Sequence, residues 1–134
     1  MIIVTSYEHL LTKIMNSDVN IRHSIVTDIE GRIITTNHRD GITNYLSQEE
    51  TEASLQRAAT AWKGRKELSP KIGKGMYAVA AFEKITRITF PLFDENLIFV
   101  SMGSDAVRMD LHEGGQKQII EHVLNILSDD PTKA

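Results

Sequence analysis

Residues 24–34 read Ser-Ile-Val-Thr-Asp-Ile-Glu-Gly-Arg-Ile-Ile, and this stretch predicts a β-hairpin. The β-branched residues on both sides of its centre favour extended strands, predicted over Ile21–Asp28 and Arg32–Thr36. The segment between them, Asp28-Ile29-Glu30-Gly31, has turn chemistry, because Gly31 can adopt a positive φ at little cost. The other elements are placed before and after this hairpin.

Three further segments have the apolar spacing of amphipathic helices. Two of them open with a hydroxyl residue followed three positions later by a carboxylate, which is capping-box spacing: Thr5 with Glu8, and Ser47 with Glu50. The predicted helices are Thr5–Met15, Ser47–Gly64 and Gln116–Leu127.

Three extended segments follow the long helix: Met76–Phe82, Thr86–Leu92 and Leu97–Met102. The run 97–100 is apolar at every position, which favours a central strand covered on both faces. The element order is therefore α-β-β-α-β-β-β-α. We expect an α+β fold with a five-stranded antiparallel sheet and three helices, because each helix has one apolar stripe to bury. No linker divides the chain, so residues 1–134 are predicted to form a single domain.

The long helix has two distinct faces. Its apolar face carries Thr51, Leu55, Ala58, Ala59 and Trp62. The opposite face carries small side chains, which allow another backbone to approach closely: Ala53, Thr60 and Gly64, together with Arg57. This second face is either a contact surface or a solvent-facing side of a helix rich in helix formers.

The composition indicates a globular protein of the reducing cytoplasm. Of the 134 residues, 41% are hydrophobic and 25% are charged, and the formal net charge is −3, which is unlike a nucleic-acid binder. The absence of cysteine excludes disulfides and thiolate sites. The apolar run 1–4 is too short for the core of a signal peptide, and no segment approaches the ~20 apolar residues of a membrane helix.

The element order and lengths resemble the roadblock family of dynein-associated and GTPase-regulating light chains. The segment 24–34 is similar to that family's first hairpin, an apolar strand followed by Asp, a Gly turn and a second apolar strand. The resemblance covers nearly the whole chain. It is one of pattern, without a specific motif.

The resemblance implies the sheet order 2-1-5-4-3 and a dimer, with itself or a paralogue, formed through the third strand and the long helix. The edge would be Met76-Tyr77-Ala78-Val79-Ala80-Ala81, and the helix contact would use Ala53, Thr60 and Gly64. An uncharged, unpaired edge promotes association unless it is covered.

No residue constellation predicts catalysis, a metal or a cofactor. The five histidines, 9, 23, 38, 112 and 122, lack the spacing that places two imidazoles on one helix face. The triplet His38-Arg39-Asp40 copies part of a kinase catalytic loop without the other kinase segments. Residues 71–75, Lys-Ile-Gly-Lys-Gly, follow a helix and precede a strand, which is the reverse of a phosphate loop.

Two functions fit this sequence. The first is a non-enzymatic dimeric adaptor that contacts a Ras-like small GTPase or a scaffold, as the resemblance implies. The alternative is a PAS-like small-ligand sensory domain. It predicts an enclosed pocket between the sheet and the long helix, lined by His23, Trp62 or Tyr77.

Overall fold

A computed structural model describes residues 2–103 and 115–128. The elements follow the order α1 (Ile2–Ser17), β1 (Ile21–Thr27), β2 (Ile33–His38), α2 (Gln48–Lys66), α3 (Ser69–Ile72), β3 (Ala78–Ala81), β4 (Ile85–Pro91), β5 (Leu97–Gly103) and α4 (Gln116–Ser128). The predicted α+β class and five-stranded antiparallel sheet are confirmed.

Several details differ from the sequence prediction. Strand β3 spans only Ala78–Ala81, so Met76, Tyr77 and Phe82 flank the strand and are not part of it. Helix α1 already begins at Ile2, so Thr5 lies inside the helix and is not its cap. Capping-box spacing occurs by chance, whereas a cap also requires the first residue to leave helical geometry. The connector after α2 contains a single helical turn, α3, with Pro70 near its start, where the missing N–H of proline costs nothing.

The cap of α2 is formed as predicted. Ser47 has extended backbone angles, and its Oγ accepts a hydrogen bond from Glu50 N at 3.1 Å. The Glu50 carboxylate accepts one from Ser47 N at 2.9 Å. Two N–H groups at the start of the helix are satisfied in this way, so the beginning of α2 is fixed by local chemistry.

The β1–β2 turn is closed by Asp28 and Gly31. Asp28 Oδ1 accepts hydrogen bonds from Glu30 N and Arg32 N, both at 2.9 Å. Gly31 has φ +87°, and a Cβ at this position would lie 2.7 Å from the Cα of Gln56 in α2. Glycine is therefore required both for the turn and for the close approach of the helix.

The sheet has the order β2-β1-β5-β4-β3. Strand β5 is central and buried through Met102, as its apolar sequence predicts. Strands β2 and β3 are the two edges.

Each face of the sheet is covered by different helices. Helices α1 and α4 share one apolar cluster with the first face, including Leu11, Ile88 and Ile119. Helix α2 covers the other face through Leu55, Ala59 and Trp62, which pack with Ile25, Leu97 and Phe99. The second cluster is the smaller one, and α2 leaves part of its face of the sheet uncovered.

Candidate functional site

Strand β3 is an exposed edge of the sheet with an apolar sequence. It pairs with β4 on one side, and the sheet ends on its other side. Residues 76–82 contain no charged side chain, and Met76 and Phe82 are 64% and 62% exposed. The opposite edge, β2, has the polar sequence Ile-Ile-Thr-Thr-Asn-His. The two edges therefore differ in their capacity for association.

The predicted edge residues that lie within β3, Ala78–Ala81, alternate between the two faces of the sheet. Ala78 and Ala80 pair with Thr89 and Arg87, and of these two alanines only Ala78, which packs against the small core under α2, is half-buried. The remaining edge residues are exposed: Met76, Tyr77, Val79, Ala80 and Ala81. Tyr77 packs against Phe90, with 6.2 Å between ring centroids.

The predicted helix residues lie together on the side of α2 that points away from the sheet. Thr60 and Gly64 are exposed there and Ala53 is half-buried. The flank of α2 nearest β4 carries other small residues: Ser54 lines a groove with Arg87, and Ala58 packs on the small core. The structure thus places Ala53, Thr60 and Gly64 next to one another but not beside β3. The sequence analysis assigned Ala58 to the apolar face of the helix and did not identify Ser54.

The two ends of α2 carry opposite charges. Its first turn has Glu49 and Glu50, and its last turn has Lys63, Arg65 and Lys66. Both groups suit the helix dipole. Two of the cations also form ion pairs within the chain: Lys63 Nζ lies 2.7 Å from Glu30, and Lys66 Nζ lies 3.0 Å from Glu95.

A row of side chains crosses all five strands on the α2 side of the sheet. The strand registers place His38 opposite His23, His23 opposite Ser101, Ser101 opposite Arg87, and Arg87 opposite Ala80. Residues directly opposite one another on neighbouring strands share a face, so four polar side chains lie side by side. The next row toward the other end of the sheet contains Phe99 and is covered by α2.

The middle of this row is electrostatically positive. The His23 and His38 rings stack with centroids 5.7 Å apart, and Ser101 Oγ lies 3.4 Å from His23 Nε2, a long hydrogen bond. The pKa of His23 is lowered to about 4, mainly by burial and further by electrostatic repulsion from His38, Arg22 and Arg87. His23 is therefore neutral near pH 7, and the charge of the row comes from Arg87.

Arg87 is itself largely desolvated. Burial lowers its pKa, and Arg57 of α2 adds a smaller repulsion. Its guanidinium carbon lies 5.4 Å from the centroid of the Phe99 ring, a cation–π distance. None of the three ion pairs found among residues 2–103 and 115–128 includes Arg87.

His23, Ser101 and Arg87 of this row form the floor of an open groove of about 470 Å³ at the N-terminal end of α2, here called the basic groove. The loop before α2 supplies Tyr45 and Leu46, and the β3–β4 turn supplies Phe82. Two cations lie near the Tyr45 ring. The guanidinium carbon of Arg22, in β1, is 4.9 Å from the ring centroid, and Nζ of Lys84, in the β3–β4 turn, is 5.2 Å from it.

A second groove, of about 550 Å³, lies at the other end of α2. It is lined by Trp62, Met76 and Phe93, with the paired Lys66 and Glu95 also in its lining. The three candidate lining residues for a ligand pocket lie in different places: His23 lines the basic groove, Trp62 lines the second groove, and Tyr77 packs on Phe90.

The described residues contain no group of three side chains that could hold a metal ion. Arg39, from the kinase-like triplet, donates hydrogen bonds to the carbonyl oxygens of Ile21, Met15 and Asp18, so its role is structural. Across the same ranges, none of the helices has the length and apolar character needed to cross a membrane.

Solved structures share this arrangement of sheet and helices. A roadblock/LC7 domain from Streptomyces avermitilis matches with a TM-score of 0.64 at 7% identity, over 90% of this chain and 90% of that one. MglB from Myxococcus xanthus matches with a TM-score of 0.68 at 12% identity, over 97% and 87%. A structure of MglB with a tetrameric arrangement matches with 0.61 at 13% identity, over 93% and 92%.

No protein-family model matches the sequence, and no curated protein sequence is significantly similar to it. The structural likeness at such low identity establishes the fold, which is roadblock-like as the sequence predicts.

Proposed function

We propose that the chain, as one domain over residues 1–134, is a non-enzymatic cytoplasmic adaptor that forms a dimer with itself or a paralogue through β3 and α2. The dimer would present its surface to a Ras-like small GTPase or a scaffold. The observation that carries this proposal is the uncharged, exposed edge strand β3. The roadblock-like fold and the tetrameric arrangement of one structural neighbour support it.

The edge is suited to pairing with a second copy. The outward N–H and C=O groups of residues 78–81 have no neighbouring strand in the described chain, and the flanking side chains Met76 and Phe82 are apolar and exposed. Two such edges related by a two-fold axis would pair antiparallel, which extends the sheet across both copies and covers those side chains.

The charges of α2 fit the same arrangement. A two-fold axis that pairs the β3 strands antiparallel also sets the two α2 helices antiparallel. The acidic first turn of one helix, with Glu49 and Glu50, would then face the basic last turn of the other, with Arg65. We propose that Met76–Ala81, with Ala53, Thr60 and Gly64 and the adjoining flank of Ser54 and Ala58, form the interface.

Light scattering coupled to size-exclusion chromatography at micromolar concentration tests the proposal, and the expected mass is that of a dimer. Ala80→Lys should shift the mass to that of a monomer, because Ala80 is exposed on β3 and a lysine there opposes strand pairing. Thr36→Lys is the matched control, since Thr36 is exposed on the other edge strand. A wild-type monomer would contradict the proposal.

The GTPase contact is tested separately. Affinity capture with the wild-type chain should recover a Ras-like GTPase, and Ala80→Lys should recover less of it if the dimer is the binding unit. Recovery in equal amounts would contradict the dimer's role in binding. The alternative, a PAS-like sensor, predicts an enclosed pocket, whereas the grooves that His23 and Trp62 line are open.

A further inference from the structure

The geometry points to the basic groove as a binding site for a small organic acid, a carboxylate attached to an apolar body. This inference goes beyond the adaptor function and does not depend on dimerisation. It is based on three features of the groove: a polar floor, a partly buried arginine that is in none of the ion pairs of the described ranges, and apolar walls.

The floor lies beyond the rows of the sheet on which the apolar face of α2 packs. Leu55, Ala59 and Trp62 pack on the rows that contain Phe99 and Leu97. The row with Ser101, His23 and Arg87 lies past that contact and lines the basic groove. His23 and Arg87 are only partly buried and line the groove, so they can offer hydrogen bonds to a ligand there.

The charge of the lining selects an anion. Three cations line the groove, Arg22, Lys84 and Arg87, against one carboxylate, Glu83. Arg87 pays the desolvation cost of burial without any of the ion pairs found in the described ranges. A carboxylate can accept two parallel hydrogen bonds from one guanidinium, which offsets that cost. His23 is neutral near pH 7, and its one ring N–H can donate a further hydrogen bond to the carboxylate.

The walls select an apolar body behind the carboxylate. Tyr45, Leu46 and Phe82 line the groove and are 54%, 40% and 62% exposed. A volume of about 470 Å³ falls within the range of ligand pockets, roughly 300–1,000 Å³. A ligand that touches these walls would bury apolar surface while its carboxylate meets Arg87.

A pair of fluorescent dyes separates the charge from the apolar contact. 8-Anilinonaphthalene-1-sulfonate carries an oxyanion, and N-phenyl-1-naphthylamine has the same rings without it. Each is titrated into the wild-type chain, Arg87→Gln, and the control Arg32→Gln, whose exposed side chain lies on the β1–β2 hairpin. Arg87→Gln should weaken binding of the sulfonate about tenfold and of the neutral dye less than about threefold. Arg32→Gln should change neither.

A second variant tests the same inference if Arg87→Gln fails to fold. Lys84 is exposed on the β3–β4 turn with its ammonium over Tyr45, so Lys84→Gln should preserve the fold and still weaken the sulfonate about threefold. Equal sulfonate binding in the wild type and both variants overturns the inference. So does an equal loss for the two dyes.

Competition identifies the class of the occupant. Decanoate should displace the sulfonate dye from the wild-type chain, and decanol should displace it less well at the same concentration. Displacement by a short polyglutamate peptide with no effect of decanoate would overturn the small-acid assignment in favour of an acidic peptide.

Discussion

The guanidinium carbon of Arg87 lies 5.4 Å from the centroid of the Phe99 ring, on the face of the sheet that α2 leaves uncovered at this point. The arginine is thus held over an aromatic ring in a site where burial lowers its pKa. This is a costly position for a cation unless a ligand or partner uses its charge.

Replacing Arg87 by methionine should not destabilise the protein. Arg87→Met removes the desolvation cost and keeps an unbranched chain over Phe99, so we expect the free energy of unfolding to stay equal or rise by about 1 kcal/mol. Urea denaturation measures it. Phe99→Ala should lower the same quantity by about 3–5 kcal/mol, because Phe99 is 1% exposed. A loss above about 1 kcal/mol for Arg87→Met would show that the cation is stabilising.

Acid should destabilise the protein through His23. Its pKa is about 4 in the folded chain and 6.5, the ordinary value of histidine, in the unfolded chain, so the unfolded chain binds more protons between these values. The stability that neutral His23 contributes is fully present above pH 6.5. As the pH falls from 6.5 toward 4, the free energy of unfolding decreases by about 2–3 kcal/mol. The free energies of unfolding of wild type and His23→Gln should converge over this window. His9→Asn, at an exposed helix position, should follow the wild type.

Two glycines should respond in opposite ways to alanine. Gly31→Ala should lower the free energy of unfolding by about 2 kcal/mol or more, because φ is +87° and the new Cβ would lie 2.8 Å from the Leu55 carbonyl oxygen. Gly64→Ala, in α2 with nothing within 4 Å of its added Cβ, should raise it by about 0.5–1 kcal/mol. Thermal unfolding of both variants tests this contrast. Similar changes in the two would contradict it.

The proposed dimer should weaken with salt. If the antiparallel α2 helices place opposite charges together, Arg65→Glu should raise the dimer dissociation constant about fivefold at low ionic strength. Sedimentation equilibrium between 20 mM and 500 mM salt, roughly a fivefold change in Debye length, measures the effect. Adding Glu49→Lys to Arg65→Glu should restore affinity, whereas Arg32→Glu should leave it unchanged. An unaltered dissociation constant for Arg65→Glu would rule out this orientation.

The sequence by itself determined the elements whose stabilising contacts are local. The turn at Asp28 and Gly31 and the cap at Ser47 involve residues within four positions of one another, so their chemistry is visible in the chain. The apolar run of β5 likewise identified the central strand. Sheet order was predicted through resemblance to a fold family. The false cap at Thr5 shows the limit of local spacing, which does not report backbone angles.

Only the tertiary structure decided which side chains meet across strands. His38, His23, Ser101, Arg87 and Ala80 come from five separate strands, and they form one row because the registers of four strand pairings agree. A shift of one residue in any pairing would turn that side chain to the other face. Likewise, the flank of α2 that faces β4 depends on how the helix is rotated on the sheet. Neither register nor rotation is encoded within a single element, because both are set by the packing of residues distant in the chain.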